Sequence, residues 1–291
     1  MGVIKVSNLT KEYEKHKVLD DISLTIEENK IYGLLGRNGA GKTTFLNLIT
    51  NRIFPTSGSI EIDGEDVTEN DSAIGKVYFM TEQDLYPQGM KVKDIFKWTR
   101  EFYSNFSMEY ALNLSKKFGL NINKKFRDLS TGYSSICKII ITLASGAEIL
   151  IFDEPVLGLD ANHRDIFYKE LVANYIDEPK TIILSTHIIE EVSEILEKVL
   201  IIKEGMLLSD KEEESLLGEA YLISGASEKV EKYIENKKCI NIDAIAGFKA
   251  ATVIGNVSND DKEAINRLGL EISKVELQKL FIHLTGKEDI K

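Results

Sequence analysis

Gly36-Arg37-Asn38-Gly39-Ala40-Gly41-Lys42-Thr43 is the stretch from which the rest of the chain can be read. It fits G-x-x-x-x-G-K-[S/T], a pattern whose glycines let the backbone turn its N–H groups inward around phosphate oxygens. Just upstream, Ile31-Tyr32-Gly33-Leu34-Leu35 is short and nearly all apolar, as expected of a strand covered on both faces. Downstream of Gly41, the pattern is helical through Thr50. A helix N-terminus directly behind the loop adds partial positive charge where an anion would sit. Lys42 is expected to reach the β- and γ-phosphates of a nucleoside triphosphate, and the Thr43 hydroxyl to ligate Mg²⁺. A glycine turn before an ordinary helix is the plainer alternative; the strand–loop–helix context speaks against it.

A second element supports the first. Ile149-Leu150-Ile151-Phe152-Asp153-Glu154 is an apolar strand ending in two adjacent acids. Asp153 suits Mg²⁺, directly or through a coordinated water, and Glu154 suits a general base toward an attacking water. Strands often end in solvated acids, so this pair gains its weight from the phosphate-binding loop.

The bulk properties set bounds. The chain has 291 residues, 43% hydrophobic and 29% charged, as in an ordinary globular protein, and this length fits one large domain plus a smaller one. Its net charge is −11, of which only −1 lies from Leu216 onward. Proteins that track nucleic-acid phosphates carry a basic stripe, so no nucleic-acid partner is expected. Cys137 and Cys239 are the only cysteines and lack metal-ligand spacing; two reduced thiols in a cytosolic protein is the expectation. No window reaches the roughly 20 uninterrupted apolar residues of a membrane-spanning helix, and no signal peptide is visible. The expected location is cytoplasmic, at a membrane only through a partner.

Strand patterns cover residues 4–9, 17–26, 31–35, 149–152 and 181–185, with helical stretches around the later ones. Such alternation implies an α/β fold with a mostly parallel sheet. From about residue 91 to 129 the pattern is helical. There Ile95, Trp98, Phe102 and Phe106 form an aromatic stripe expected to be core. Beyond residue 215 the character changes to short elements in the order β-α-β-β-α-β plus a final helix over 275–284. This predicts a small ferredoxin-like α+β accessory domain over 216–291.

Two further motifs complete the set. Leu129-Ser130-Thr131-Gly132-Tyr133 stands just before a helical stretch, where Ser130 alone reads as a helix N-cap. His187 follows an apolar strand in Ser185-Thr186-His187, where a lone histidine is more often structural than catalytic. Taken together and in order, these residues resemble the ATP-binding subunit of ABC transporters over about residues 3–209. The Leu-Ser-x-Gly element narrows the match, since the loop and the two acids occur in many NTPases.

The resemblance implies an ABC-type P-loop NTPase domain over residues 1–215, with a helical subdomain at about 91–140. It implies ATP and Mg²⁺ as ligands, held by residues Gly36 to Thr44, with Thr43, Asp153 and Gln83 at the metal. Tyr13 looks like the aromatic that stacks on adenine; an ordinary strand-end tyrosine is its alternative. Gln83 resembles the glutamine that senses Mg²⁺ and the attacking water, with Glu82 as the other occupant of that position. Ser130, Thr131 and Gly132 would meet the ATP of a second subunit. Asp160, in Gly158-Leu159-Asp160, resembles the acid that links the two sites, and His187 the switch on the γ-phosphate, so Glu154, His187 and Gln83 are the catalytic candidates. The implied partners are a second nucleotide-binding subunit, as homodimer or heterodimer, and a separately encoded membrane permease.

This chain departs from the family pattern in three places. Thr131 and Tyr133 stand where Gly and Gln are usual, the stretch Ser134-Ser135-Ile136-Cys137-Lys138 is less basic than usual, and Val156 replaces a small hydroxyl residue. Length, a single nucleotide domain and a C-terminal extension carrying Gln278-Lys279-Leu280-Phe281 are similar to exporters of the bacitracin and lantibiotic resistance kind. A soluble ABC ATPase, or a nucleotide-gated regulator without transport, is the alternative.

Overall fold

A computed structural model describes residues 2–286; the last five residues of the expected accessory domain lie outside the described residues. The chain divides into two compact units. One comprises residues up to 187 together with 200–210; the other comprises 188–199 and the chain from 211 onward. The sequence placed its boundary at 215/216. Residues 188–199 group with the second unit, where the short helix Ile189–Val192 meets the helix Leu277–Thr285.

In the first unit, strands Ile4–Tyr13 and His16–Ile26 pair antiparallel around a tight turn at Glu14, whose φ is 56°. Strands Ser57–Ile62 and Glu65–Asp66 extend them to a four-stranded sheet. Val6, Leu9, Leu19, Ile22 and Ile26 point to the core between exposed polar neighbours, the alternation of a sheet wet on one face.

A six-stranded sheet forms the centre. Its order is Met206–Glu212, Lys198–Lys203, Ile31–Leu35, Thr181–Ser185, Ile149–Asp153, Val77–Met80. The last four pair in parallel. Every residue of Ile31–Leu35, Ile149–Asp153 and Thr181–Ser185 is buried, which is why these segments read as apolar runs with no alternation. Phe45, Leu46 and Ile49 of the helix Lys42–Ile49 join Tyr32, Ile151 and Ile183 in one core. Because these strands run parallel, the segments that follow Leu35, Met80, Asp153 and Ser185 emerge at one edge, where α/β sheets bind their ligands.

Three helices, Val92–Phe102, Met108–Lys117 and Thr131–Ala144, form the helical region. The aromatic stripe is core only in part. Ile95 is fully buried and Phe106 nearly so, but Trp98 is 45% and Phe102 69% exposed. The helix ends at Phe102, so Phe106 lies beyond it and Trp98 and Phe102 make an edge-to-face pair outside the core, ring centroids 5.2 Å apart.

The second unit contains Ala220–Ala226, Ser227–Ile234, Cys239–Ile245, Phe248–Ile254, Asn259–Leu268 and Glu271–Lys274, a β-α-β-β-α-β succession. Its sheet runs second–third–first–fourth with every neighbour antiparallel, the ferredoxin-like order. Tyr221, Ile223, Val230, Tyr233, Ala251, Val253 and Ile265 form its own core. The second helix starts with a capping box between Ser258 and Asp261 and ends at Gly269, whose φ of 63° suits glycine.

Candidate functional site

The loop from Gly36 to Gly41 leaves a buried strand and turns into a helix whose N-cap is Gly41 at φ 111°. A side chain at Gly41 would meet the Val18 carbonyl at 2.9 Å, and one at Gly36 the Ile202 carbonyl at 2.7 Å. Both positions therefore need glycine. The first helical turn has no side-chain cap and no acidic residue, so its amides are uncompensated by any carboxylate. Arg37, Asn38 and Gly39 are exposed at the tip, with Ala40 buried beneath and Thr44 half-buried on the helix.

Lys42 lies across the loop, its Nζ donating to the Gly36 carbonyl at 2.6 Å. It is 8% exposed. Burial is the largest influence on its ammonium and pulls its pKa below the ordinary lysine value, while Glu154 and Asp153 oppose that. A desolvated cation at an uncapped helix N-terminus is an anion receptor that water screens little.

Thr43 Oγ1 donates to Asp153 Oδ2 at 3.0 Å, and Asp153 is 3% exposed at the end of its strand. A hydroxyl beside a buried carboxylate is a hard-oxygen donor pair that suits Mg²⁺. Among the described residues no three His, Cys, Asp or Glu side chains form a metal cage.

Glu154 adopts φ 49°, a left-handed conformation uncommon outside glycine, and its N–H donates to the Ser185 carbonyl at 2.8 Å. Its Oε2 lies 2.8 Å from Nδ1 of His187. Adjacent parallel strands thus bring Lys42, Thr43, Asp153, Glu154 and His187 together.

The other predicted residues sit on or beside other elements. Tyr13 ends its strand, 47% exposed, with Lys11 Nζ 4.7 Å from its ring centroid. Gln83 is exposed after Val77–Met80 and lines a cavity of about 260 Å³ with Trp98, Tyr86 and Lys138. Glu82 is exposed beside it, and its carbonyl accepts from Lys138. Ser130 is the N-cap of Thr131–Ala144, its Oγ accepting from the Tyr133 N–H at 3.4 Å. A Cβ on Gly132 would lie 2.8 Å from the Gly158 carbonyl, which accounts for glycine there. Asp160 caps Ala161–Asp177, accepting from the His163 N–H at 2.9 Å. The cap bond is the first of several that hold its carboxyl below the usual range. Cys137 is buried, and burial pushes its thiol pKa up, so it is an inert core residue.

Sequence reasoning passed over Lys138 and Asp84. The signal was present: Lys138 is the only charge in Ile136-Cys137-Lys138-Ile139-Ile140-Ile141, and a charge in such a run needs partners.

Fold and site together define a P-loop ATPase. The "ABC transporter" family profile matches residues 19–157. The uncharacterized ABC transporter ATP-binding protein MJ1023 of Methanocaldococcus jannaschii is 34% identical, over 69% of this chain and 74% of its own length. The lantibiotic transport ATP-binding protein SrtF of Streptococcus pyogenes is 31% identical over 72% of this chain and 91% of its own. The bacitracin transport ATP-binding protein BcrA of Enterococcus faecalis is 32% identical over 72% and 68%. The dimeric post-hydrolysis cassette MJ0796, bound to ADP and Pi, superposes with a TM-score of 0.64 at 23% identity, covering 72% of this chain and 98% of that one. This chain belongs to the ATP-binding subunits of ABC transporters, and is an ATPase. Among the described residues, no helix is long and apolar enough to cross a membrane.

Proposed function

We propose that this chain is the cytoplasmic motor of an exporter whose permease is a separate polypeptide, and that two nucleotide-binding subunits close on two ATP molecules to drive it. The observation that carries the mechanism is the Glu154–His187 contact beside Lys42 and Asp153. Lys42 and the first-turn amides hold the β- and γ-phosphates, Tyr13 stacks on adenine, and Lys11 backs its other ring face. Thr43 and Asp153 would hold Mg²⁺, with Gln83 reaching it from its own loop on ATP binding, and the ion would neutralise charge on the phosphates. Glu154 takes the proton of a water whose oxygen attacks the γ-phosphorus; the bond to the β–γ bridging oxygen breaks, leaving ADP and phosphate. His187 orients Glu154 and meets the γ-phosphate. Ser130, Thr131 and Gly132 of a facing subunit cover that phosphate, and Asp160 links the two sites. The nucleotide-binding domain and the ferredoxin-like accessory domain are then separate functional parts of the chain.

The names of SrtF and BcrA support a peptide antibiotic or similar drug as the cargo. Trp98, Phe102 and Leu85, exposed on the helical region and the Gln83 loop, offer an apolar patch for the permease. Purification from detergent-solubilised membranes tests the assembly. The tagged chain should bring down one polytopic membrane protein, with ATP turnover stimulated by the peptide only in that complex. A chain recovered alone from the soluble fraction, with turnover indifferent to membranes, would sink the motor reading in favour of a soluble ATPase or regulator.

A further inference from the structure

The helix Thr131–Ala144 is buried at every residue from Ser134 to its end, and the one charge in it is Lys138, 5% exposed. Lys138 Nζ donates to the Thr81 carbonyl at 3.2 Å and the Glu82 carbonyl at 2.7 Å, and pairs with Asp84 Oδ1 at 3.1 Å. Three acceptors saturate the three donors of an ammonium group. All three come from residues that flank Gln83. The Thr81 hydroxyl also donates to the Gln83 carbonyl at 3.0 Å, closing the turn from the other side.

We propose that Lys138 is a positioning residue: it straps the Gln83 loop to the helix that carries Ser130 and Gly132, so that the two move as one body. A buried ammonium stripped of partners is costly, so displacing the loop from the helix means breaking three contacts at once. About one turn nearer the N-terminus the same helix is tied to the segment before Asp160, where Ser135 Oγ donates to the Leu157 carbonyl at 3.2 Å. A pull on Ser130 and Gly132 from the ATP of a facing subunit is thereby passed to Gln83 through a rigid, buried rod. This inference rests on the proposed roles of Gln83 and Ser130 in ATP turnover; the strap itself is independent of them.

Lys138→Met keeps the length and apolar stem of the side chain and removes the strap. Two quantities report on it: hydrogen exchange of the amides of residues 81–85, and ATP turnover alongside ATP binding. Lys138→Met is expected to speed exchange in that loop selectively. It should lower kcat about ten- to a hundredfold with ATP affinity changed by about twofold or less, the pattern of a misplaced group rather than a lost binding contact. Lys138→Arg should recover most of both. Should Lys138→Met not fold, Asp84→Asn removes the ion pair from the half-exposed side and should give a smaller change of the same kind. Unchanged exchange at 81–85 in Lys138→Met, or in Asp84→Asn where only that variant folds, overturns the proposal, as does unchanged kcat. A parent protein whose turnover ignores Glu154→Gln defeats the functional reading instead, and the exchange result then still decides the strap.

Discussion

Glu154 Oε2 and His187 Nδ1 lie 2.8 Å apart, just beyond the ends of neighbouring parallel strands. A left-handed conformation and a hydrogen bond to Ser185 fix the backbone from which the Glu154 carboxylate reaches the histidine. Glu154→Gln should bind ATP normally and lower turnover by about 10²–10⁴, the range for removing a general base. His187→Ala should lower kcat by a smaller factor, about ten- to a hundredfold, because the base remains but loses its orientation. Single-turnover kinetics with radiolabelled ATP check both, and normal turnover in Glu154→Gln removes it from the role of base.

Lys42 sets an alkaline limit on nucleotide affinity. Burial holds its pKa below the ordinary lysine value in the ATP-free protein, whereas a triphosphate favours the charged form. The free-protein pKa is the lower of the two. Affinity therefore falls as pH rises through that lower value, which lies below the ordinary value of about 10.4. Binding titrations from pH 7 to 10 should show the decline, and a flat profile would contradict it. Lys42→Ala should abolish binding at every pH.

Thr43→Ala removes the hydroxyl that donates to Asp153 and leaves the helix intact, since alanine favours helix. The expected result is a Mg²⁺ requirement raised by about tenfold or more, read as the midpoint of a Mg²⁺ titration of turnover at saturating ATP. Thr43→Ser should stay near the parent. An unchanged midpoint in the alanine variant would free Thr43 of any part in metal binding.

The second unit carries its own acid sensitivity. Asp261 receives hydrogen bonds from Lys237, Ser258 and Tyr233, and these hold its carboxyl well below the usual carboxylate range. A depressed native pKa contributes stability that is complete above the unfolded value of about 3.9 and is lost as pH falls toward the native one. Asp261→Asn should cost about 1–2 kcal/mol at neutral pH through the capping box and the Lys237 pair. It should also flatten the acid limb of a pH–stability curve. Calorimetry from pH 2 to 7 on parent and variant measures both.

The residues of the P-loop and the two acids of Asp153-Glu154 were legible in the sequence, because their chemistry depends on local geometry. The loop needs glycine where a side chain would collide, and Gly36 and Gly41 indeed have carbonyls where one would go. The parallel strands were legible for the same kind of reason: burial on both faces leaves no polar position to interrupt the run. The order β-α-β-β-α-β was legible beyond residue 215, while the order of strands in its sheet came from pairing between segments distant in the chain.

Tertiary structure alone decided what faces what. Trp98 and Phe102 repeat at helical spacing with Ile95, yet that helix sits at the surface, so part of an apolar stripe is left exposed. The Leu-Ser-x-Gly element could be quoted from the sequence, but the approach of Gly132 to Gly158 joins residues on separate elements. Lys138 is the clearest case. Its place in an apolar run marks it as a charge in need of partners, but Thr81, Glu82 and Asp84 lie more than fifty residues away along the chain. A hydrogen bond acts over a few ångströms of space with no regard to distance in sequence, so only the folded chain shows which loop this buried cation holds.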